Sequence, residues 1–189
     1  MSIIDRYALH LAHSIRRNNP AAASAEVLQF SLIIIINTVS VILSVLLVTL
    51  LTGHFMQGAI VLFGFALLRF FSGGVHLSSS VSCTIISSVV LILIAHVIIP
   101  TYLYTGLILD LFSILILLVT HNDKSTFKFK NKTYPLMKFI SVAIVCSNFL
   151  VQSSLLSIVF LTQALTLTKF VYRLVKYIER RKPNEEISS

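Results

Sequence analysis

Apolar and polar positions divide the chain into a short amphipathic lead and six long apolar runs. In residues 2–18, Ile3, Ile4, Tyr7, Ala8, Leu11, Ala12 and Ile15 recur at helical spacing, while Asp5, Arg6, Arg16 and Arg17 take the opposite side. That pattern predicts a helix lying in the headgroup region of a bilayer, with Pro20 closing it. The apolar runs follow at 27–52, 55–71, 79–99, 101–120, 136–153 and 155–176. Most have the roughly 20 residues that cross about 30 Å of hydrocarbon at about 1.5 Å per residue. The last two are separated mainly by Gln152, Ser153 and Ser154. The predicted fold is an all-α integral membrane protein of about six transmembrane helices behind an amphipathic N-terminal helix. A single membrane domain would fill 1–189, with its bundle over 27–176 and a basic tail at 177–189.

Charge sharpens the topology. With the N-terminus in the cytoplasm, six spans place 1–26, 69–78, 121–138 and 169–189 on the inner side. Those regions hold three, one, five and six cationic residues, which is every one of the 15 Lys and Arg. Such one-sidedness is what the positive-inside rule expects of a protein with both termini cytoplasmic. Tyr102 and Tyr104 then fall at the outer interface, and Tyr134, Tyr172 and Tyr177 at the inner one. The basic 121–138 loop reads first as a topology signal and second as a binding surface for anionic lipid.

Composition agrees. The chain of 189 residues is 56% hydrophobic and only 12% charged, and its mean hydropathy is +0.91. Surface of that kind must face lipid. Membrane orientation therefore accounts for the net charge of +8, and no nucleic-acid partner is expected. The first nineteen residues contain His10, His13, Arg16 and Arg17 and no apolar core for a cleavable signal, so the first run is expected to stay in the protein. Cys83 and Cys146 form no spaced framework, there is no HExxH, and the histidines are scattered, so no metal or other cofactor is expected.

One junction carries chemistry. Between the second and third runs stands R-F-F-S-G-G-V-H-L-S-S-S-V-S-C, residues 69–83. Gly73 and Gly74 loosen the backbone and should end the second helix, and Ser78, Ser79 and Ser80 are competent caps for the third. Cys83 would then sit within the first turn, where the helix N-terminus, Arg69 or His76 would favour the nucleophilic thiolate. Seven helical residues rise about 10 Å, too far for the roughly 3 Å between a base and its nucleophile. A working His76–Cys83 pair therefore needs His76 on a turn folded back over the helix that carries Cys83. Each group also has a plainer reading: His76 as an interfacial polar residue, Arg69 as a snorkelling topology marker, and Cys83, like Cys146, as a small apolar residue.

The same stretch strongly resembles the signature of the accessory gene regulator protein B (AgrB) family of Gram-positive quorum sensing. Arginine, glycine just ahead of histidine, and cysteine seven residues beyond it match in type, order and spacing; length, lead helix and run count also agree. The resemblance implies a membrane endopeptidase acting on a short precursor peptide of the AgrD type. It makes Cys83 the nucleophile and His76 the general base, with Arg69, Gly73 and Gly74 as supporting, oxyanion or substrate positions. It also implies cleavage through an acyl-enzyme thioester and closure of a thiolactone or lactone ring. The chain departs from the family after the fourth run, where H-N-D-K-S-T-F-K-F-K-N-K-T-Y-P retains only Asn131-Lys132 and a displaced Pro135.

Asp110, near the middle of the fourth run, is the remaining anomaly, because intramembrane carboxylates are costly. A structural network with Asn37, Gln163 or a hydroxyl is the first expectation. The competing function is a small peptide transporter built on Asp110 and His96. A closed two-fold homodimer suits either function, being the commonest assembly.

Overall fold

A computed structural model describes residues 3–19, 22–73, 80–97, 101–120 and 134–171, with residues 173, 174 and 177. Among them every regular element is helical: α1 (Ile3–Asn18), α2 (Ala25–Leu51), α3 (Phe55–Ser72), α4 (Ser80–Ala95), α5 (Leu107–Val119), α6 (Tyr134–Val151) and α7 (Ser154–Thr166). A five-residue π-helical turn, Tyr102–Gly106, runs directly into α5. Ala25–Leu51, Phe55–Ser72 and Tyr102–Val119 are long and apolar enough to cross a membrane, and Val81–Ala95, Pro135–Val151 and Ser154–Thr166 are shorter apolar helices. Large apolar side chains such as Phe63, Phe139 and Leu150 are exposed, whereas Thr49, Asp110, Ser113, Asn148, Ser157 and Gln163 are fully buried. Water would favour the reverse. Apolar outer surface around a polar interior is the solution for a chain whose solvent is hydrocarbon.

The described chain groups into two compact units. In the first, α1 packs on α2 through the buried methyls of Ala8 and Ala12. Small side chains there let the two backbones approach closely, while Tyr7, Leu11 and Ile15 stay exposed along α1. The Gln29 amide donates to the Asp5 carbonyl at 3.4 Å. Ser24 caps α2 by accepting from the Val27 N–H. Further along, Thr84 Oγ1 donates to Asn37 Oδ1 at 3.1 Å and ties the first turns of α4 to α2.

The second unit joins α3, α5, α6 and α7. Gly64 is the close-approach point on α3: a Cβ there would lie 2.6 Å from Leu156 Cδ2 of α7. The α6–α7 connection is a two-residue turn in which Gln152 takes φ +56° and Ser153 caps α7. This turn separates the last two apolar runs into distinct helices. Lys138 donates to the Leu118 carbonyl, one of the acceptors left open at the end of α5.

The final helix is shorter than the hydropathy predicts. Instead of running to residue 176, α7 stops at Thr166. The N–H groups of Leu167 and Thr168 turn to carbonyls three residues back, at 3.1 and 3.0 Å. The hydroxyls of Thr166 and Thr168 bond the carbonyls of Gln163 and Leu165. Thr168 Oγ1 then accepts from Val171 N–H, restarting the chain as helix. Hydroxyls that compete for backbone partners break an apolar run that hydropathy reads as continuous.

Candidate active site

The last turn of α3 is built to stop. Gly73 takes φ +73°, a left-handed conformation that glycine adopts without a Cβ penalty. Its N–H closes on the Arg69 carbonyl at 2.9 Å. The expected end of the second helix thus falls at Gly73. Gly74 and His76 lie outside the described residues, as do Asn131 and Lys132 of the basic loop and the tail beyond Tyr177.

Arg69 stands one turn before that stop, half-buried, with its guanidinium carbon 5.5 Å from the centre of the Phe65 ring. A cation at a helix C-terminus complements the partial negative charge of the last carbonyls, and the ring face adds cation–π attraction. Cys83 is the fourth residue of α4, half-buried, with a free thiol. The neighbouring Thr84–Asn37 bond fixes the rotation of this turn about the helix axis. Cys146 is a free thiol on the exposed side of α6, which suits a small apolar residue.

A residue absent from the sequence-based site holds the α3 terminus from across its unit. Gln163 of α7 is fully buried. Its Nε2 donates to the Gly73 carbonyl and to Ser72 Oγ, the latter at 3.2 Å. Since a carbonyl can only accept, the Gly73 contact sets which end of the amide faces α3. Gln163 Oε1 has no partner among the described residues.

Asp110 belongs to a different cluster. Its Oδ2 accepts from Tyr102 Oη and from Asn148 Nδ2, both at 2.9 Å. The Asn148 amide also donates to the Ser153 carbonyl at 3.1 Å and to Ser157 Oγ at 2.9 Å, and its Oδ1 accepts from Ser153 N–H at 3.2 Å. One amide therefore joins α5, α6 and α7. A hydroxyl partner for Asp110 was expected and Tyr102 supplies it. Asn37 and Gln163 instead serve Thr84 and Gly73. The available signal for Asn148 was that a lone amide in an apolar helix must find partners; nothing in the sequence said which. Among the described residues, no three His, Cys, Asp or Glu side chains converge as metal ligands.

Comparison with known proteins adds the following. The family model for accessory gene regulator B (AgrB) matches residues 8–169. A putative AgrB-like protein of Halalkalibacterium halodurans is 36% identical over 86 residues, 45% of this chain and 44% of that protein. The match thus spans less than half the length of the curated relative. No solved structure matches the chain.

Proposed function

The chain belongs to the accessory gene regulator B family, and on that premise we propose that it is a membrane-embedded cysteine endopeptidase of quorum sensing. Its substrate is an AgrD-like precursor peptide, cut toward its C-terminal side. The observation that carries the reading is the placement of Cys83: a free thiol in the fourth position of α4, ten residues after the glycine that ends α3, within the family's motif.

The chemistry follows from the residue types. Cys83 Sγ attacks the scissile carbonyl while His76 takes the thiol proton. The tetrahedral intermediate collapses, the C–N bond breaks, and His76 returns the proton to the leaving amine. The acyl group is then held as a thioester on Cys83. An internal thiol or hydroxyl of the substrate attacks that thioester, closing a thiolactone or lactone and freeing Cys83. Thioester-for-thioester exchange is nearly energy-neutral, so water must be kept out while the ring closes. Arg69, beside the α3 terminus, is suited to holding the acidic segment released from the precursor or to stabilising the oxyanion. Backbone N–H groups near Gly73 and Gly74 are the other oxyanion donors.

In this reading the protein is multi-pass with both termini cytoplasmic, as the cation distribution supports, and His76 and Cys83 act near the cytoplasmic face. A homodimer is the assembly we propose. Asp110 needs no transport role, because Tyr102 and Asn148 already account for its carboxylate as part of the interior.

The test is precursor processing in membranes carrying wild type, Cys83→Ala, His76→Ala or Asp110→Asn, with the peptide followed by mass. Cleavage should vanish in the first two variants and persist in Asp110→Asn, and wild type should yield a thioester adduct on Cys83. Undiminished cleavage by Cys83→Ala would overturn the proposal in favour of a transporter centred on Asp110.

A further inference from the structure

Resting on the peptidase reading, we propose that Gln163 is a positioning residue for catalysis, acting through the Gly73 turn on the chain that leads to His76. It is neither part of the 69–83 motif nor near it in sequence. It lies 90 residues beyond Gly73 and reaches back to it.

Three observations converge on this role. The first is burial: Gln163 is fully enclosed in α7, so its amide would be costly to keep without partners. The second is the choice of partners. The amide donates to Ser72 Oγ and the Gly73 carbonyl, the last groups of α3 before the motif continues. Gly73 is a left-handed residue, where the chain changes direction and small dihedral errors propagate to whatever follows. The third is what remains unused: Gln163 Oε1, buried and without a partner among the described residues, is an acceptor carried by the same amide.

His76 is three residues from Gly73, a reach of at most about 10 Å even for extended chain. A general base must come within hydrogen-bond distance of the thiol it deprotonates. An error of about 1 Å in such a placement costs up to roughly a hundredfold in rate. Helix α3 presents Gly73 at its own flexible end, and Gln163 bonds that end to the middle of another helix in the same unit. Ser72, itself buried, gives the amide a second point of attachment and so fixes its plane.

The experiment uses the full-length protein in membranes, with Cys146→Ser so that Cys83 is the one remaining thiol. Gln163→Met keeps length and packing but cannot donate. Gln163→Glu keeps shape and polarity, and its carboxylate likewise cannot donate to the Gly73 carbonyl. Two quantities are read per folded molecule: precursor processing as kcat and KM, and the iodoacetamide alkylation rate of Cys83 across about pH 6–9. Both variants should lose roughly 10–100-fold in kcat with KM within about twofold. Their alkylation profile should move from the wild-type curve toward that of His76→Ala. A merely structural glutamine would lower the folded amount and leave the profile of the folded remainder unchanged. If His76→Ala alters the profile while both Gln163 variants keep the wild-type curve and kcat, the inference is overturned and the peptidase reading stands. If His76→Ala leaves the profile unchanged, the base–nucleophile pair itself fails, and the role of Gln163 falls with it.

Discussion

Asn148→Ala removes the one side chain that joins α5, α6 and α7. Four polar contacts go at once: to Asp110 Oδ2, to the Ser153 carbonyl, to Ser157 Oγ, and from Ser153 N–H. Nδ2 has two hydrogens for its three acceptors, so the loss amounts to about three full hydrogen bonds. At about 0.6 kcal/mol each, as in helical membrane proteins, that is about 2 kcal/mol; at about 1 kcal/mol each it is about 3. Asp110, fully buried, is left with Tyr102 as its printed partner, which adds about 1 kcal/mol of unmet desolvation. The expected destabilisation is therefore about 2–4 kcal/mol. Tyr102→Phe, which deletes one bond, should cost about 0.5–1 kcal/mol. The assay is reversible unfolding in mixed micelles by titration with a denaturing detergent, on Asn148→Ala, Asp110→Asn and the double variant. The two substitutions should be non-additive by about 0.5 kcal/mol or more, since each removes a bond they share. A loss below about 0.5 kcal/mol for Asn148→Ala, or strict additivity with Asp110→Asn, would refute the network as a source of stability.

Other expectations follow from single positions. Gly64→Val places branched carbon where Leu156 Cδ2 already sits; it should cost about 1–3 kcal/mol, and Leu156→Ala in the same chain should recover most of that. An undisturbed single variant would show that α3 and α7 do not pack this closely. Gly73→Ala forces a side chain onto φ +73°, a cost of about 1–2 kcal/mol. Because that residue ends α3 ahead of His76, processing should fall further than the folded amount does; equal falls would confine its role to stability. Reporter fusions after residues 130 and 189 should both read as cytoplasmic, given the five and six cations in their segments. An external signal at either would undo the assigned orientation.

Much of the molecule was legible before any coordinates. The lead helix expected over 2–18 is Ile3–Asn18, and the second helix ends at Gly73, as its glycine pair suggested. Cys83 stands in the opening turn of the described α4, where serine caps and thiol chemistry had placed it. Two features were not legible. The hydroxyls of Thr166 and Thr168 interrupt a run that is apolar on average, because hydropathy counts a threonine without knowing whether its oxygen turns on the backbone. The partner of Asp110 was equally hidden, with Asn37, Asn148 and Gln163 chemically equivalent as candidates.

The division has one physical cause. Partition into hydrocarbon depends on how much apolar area a segment carries, a property summed along the chain, so composition and periodicity alone determined the helices, the membrane fold and the cationic side. Which buried amide meets which acceptor depends on how each helix is rotated about its own axis. That rotation is set by packing between segments far apart in sequence, at Gly64 against Leu156 and at Ala8 and Ala12 against α2. Only the tertiary structure decided that Asn148 gathers Asp110 and that Gln163 holds Gly73.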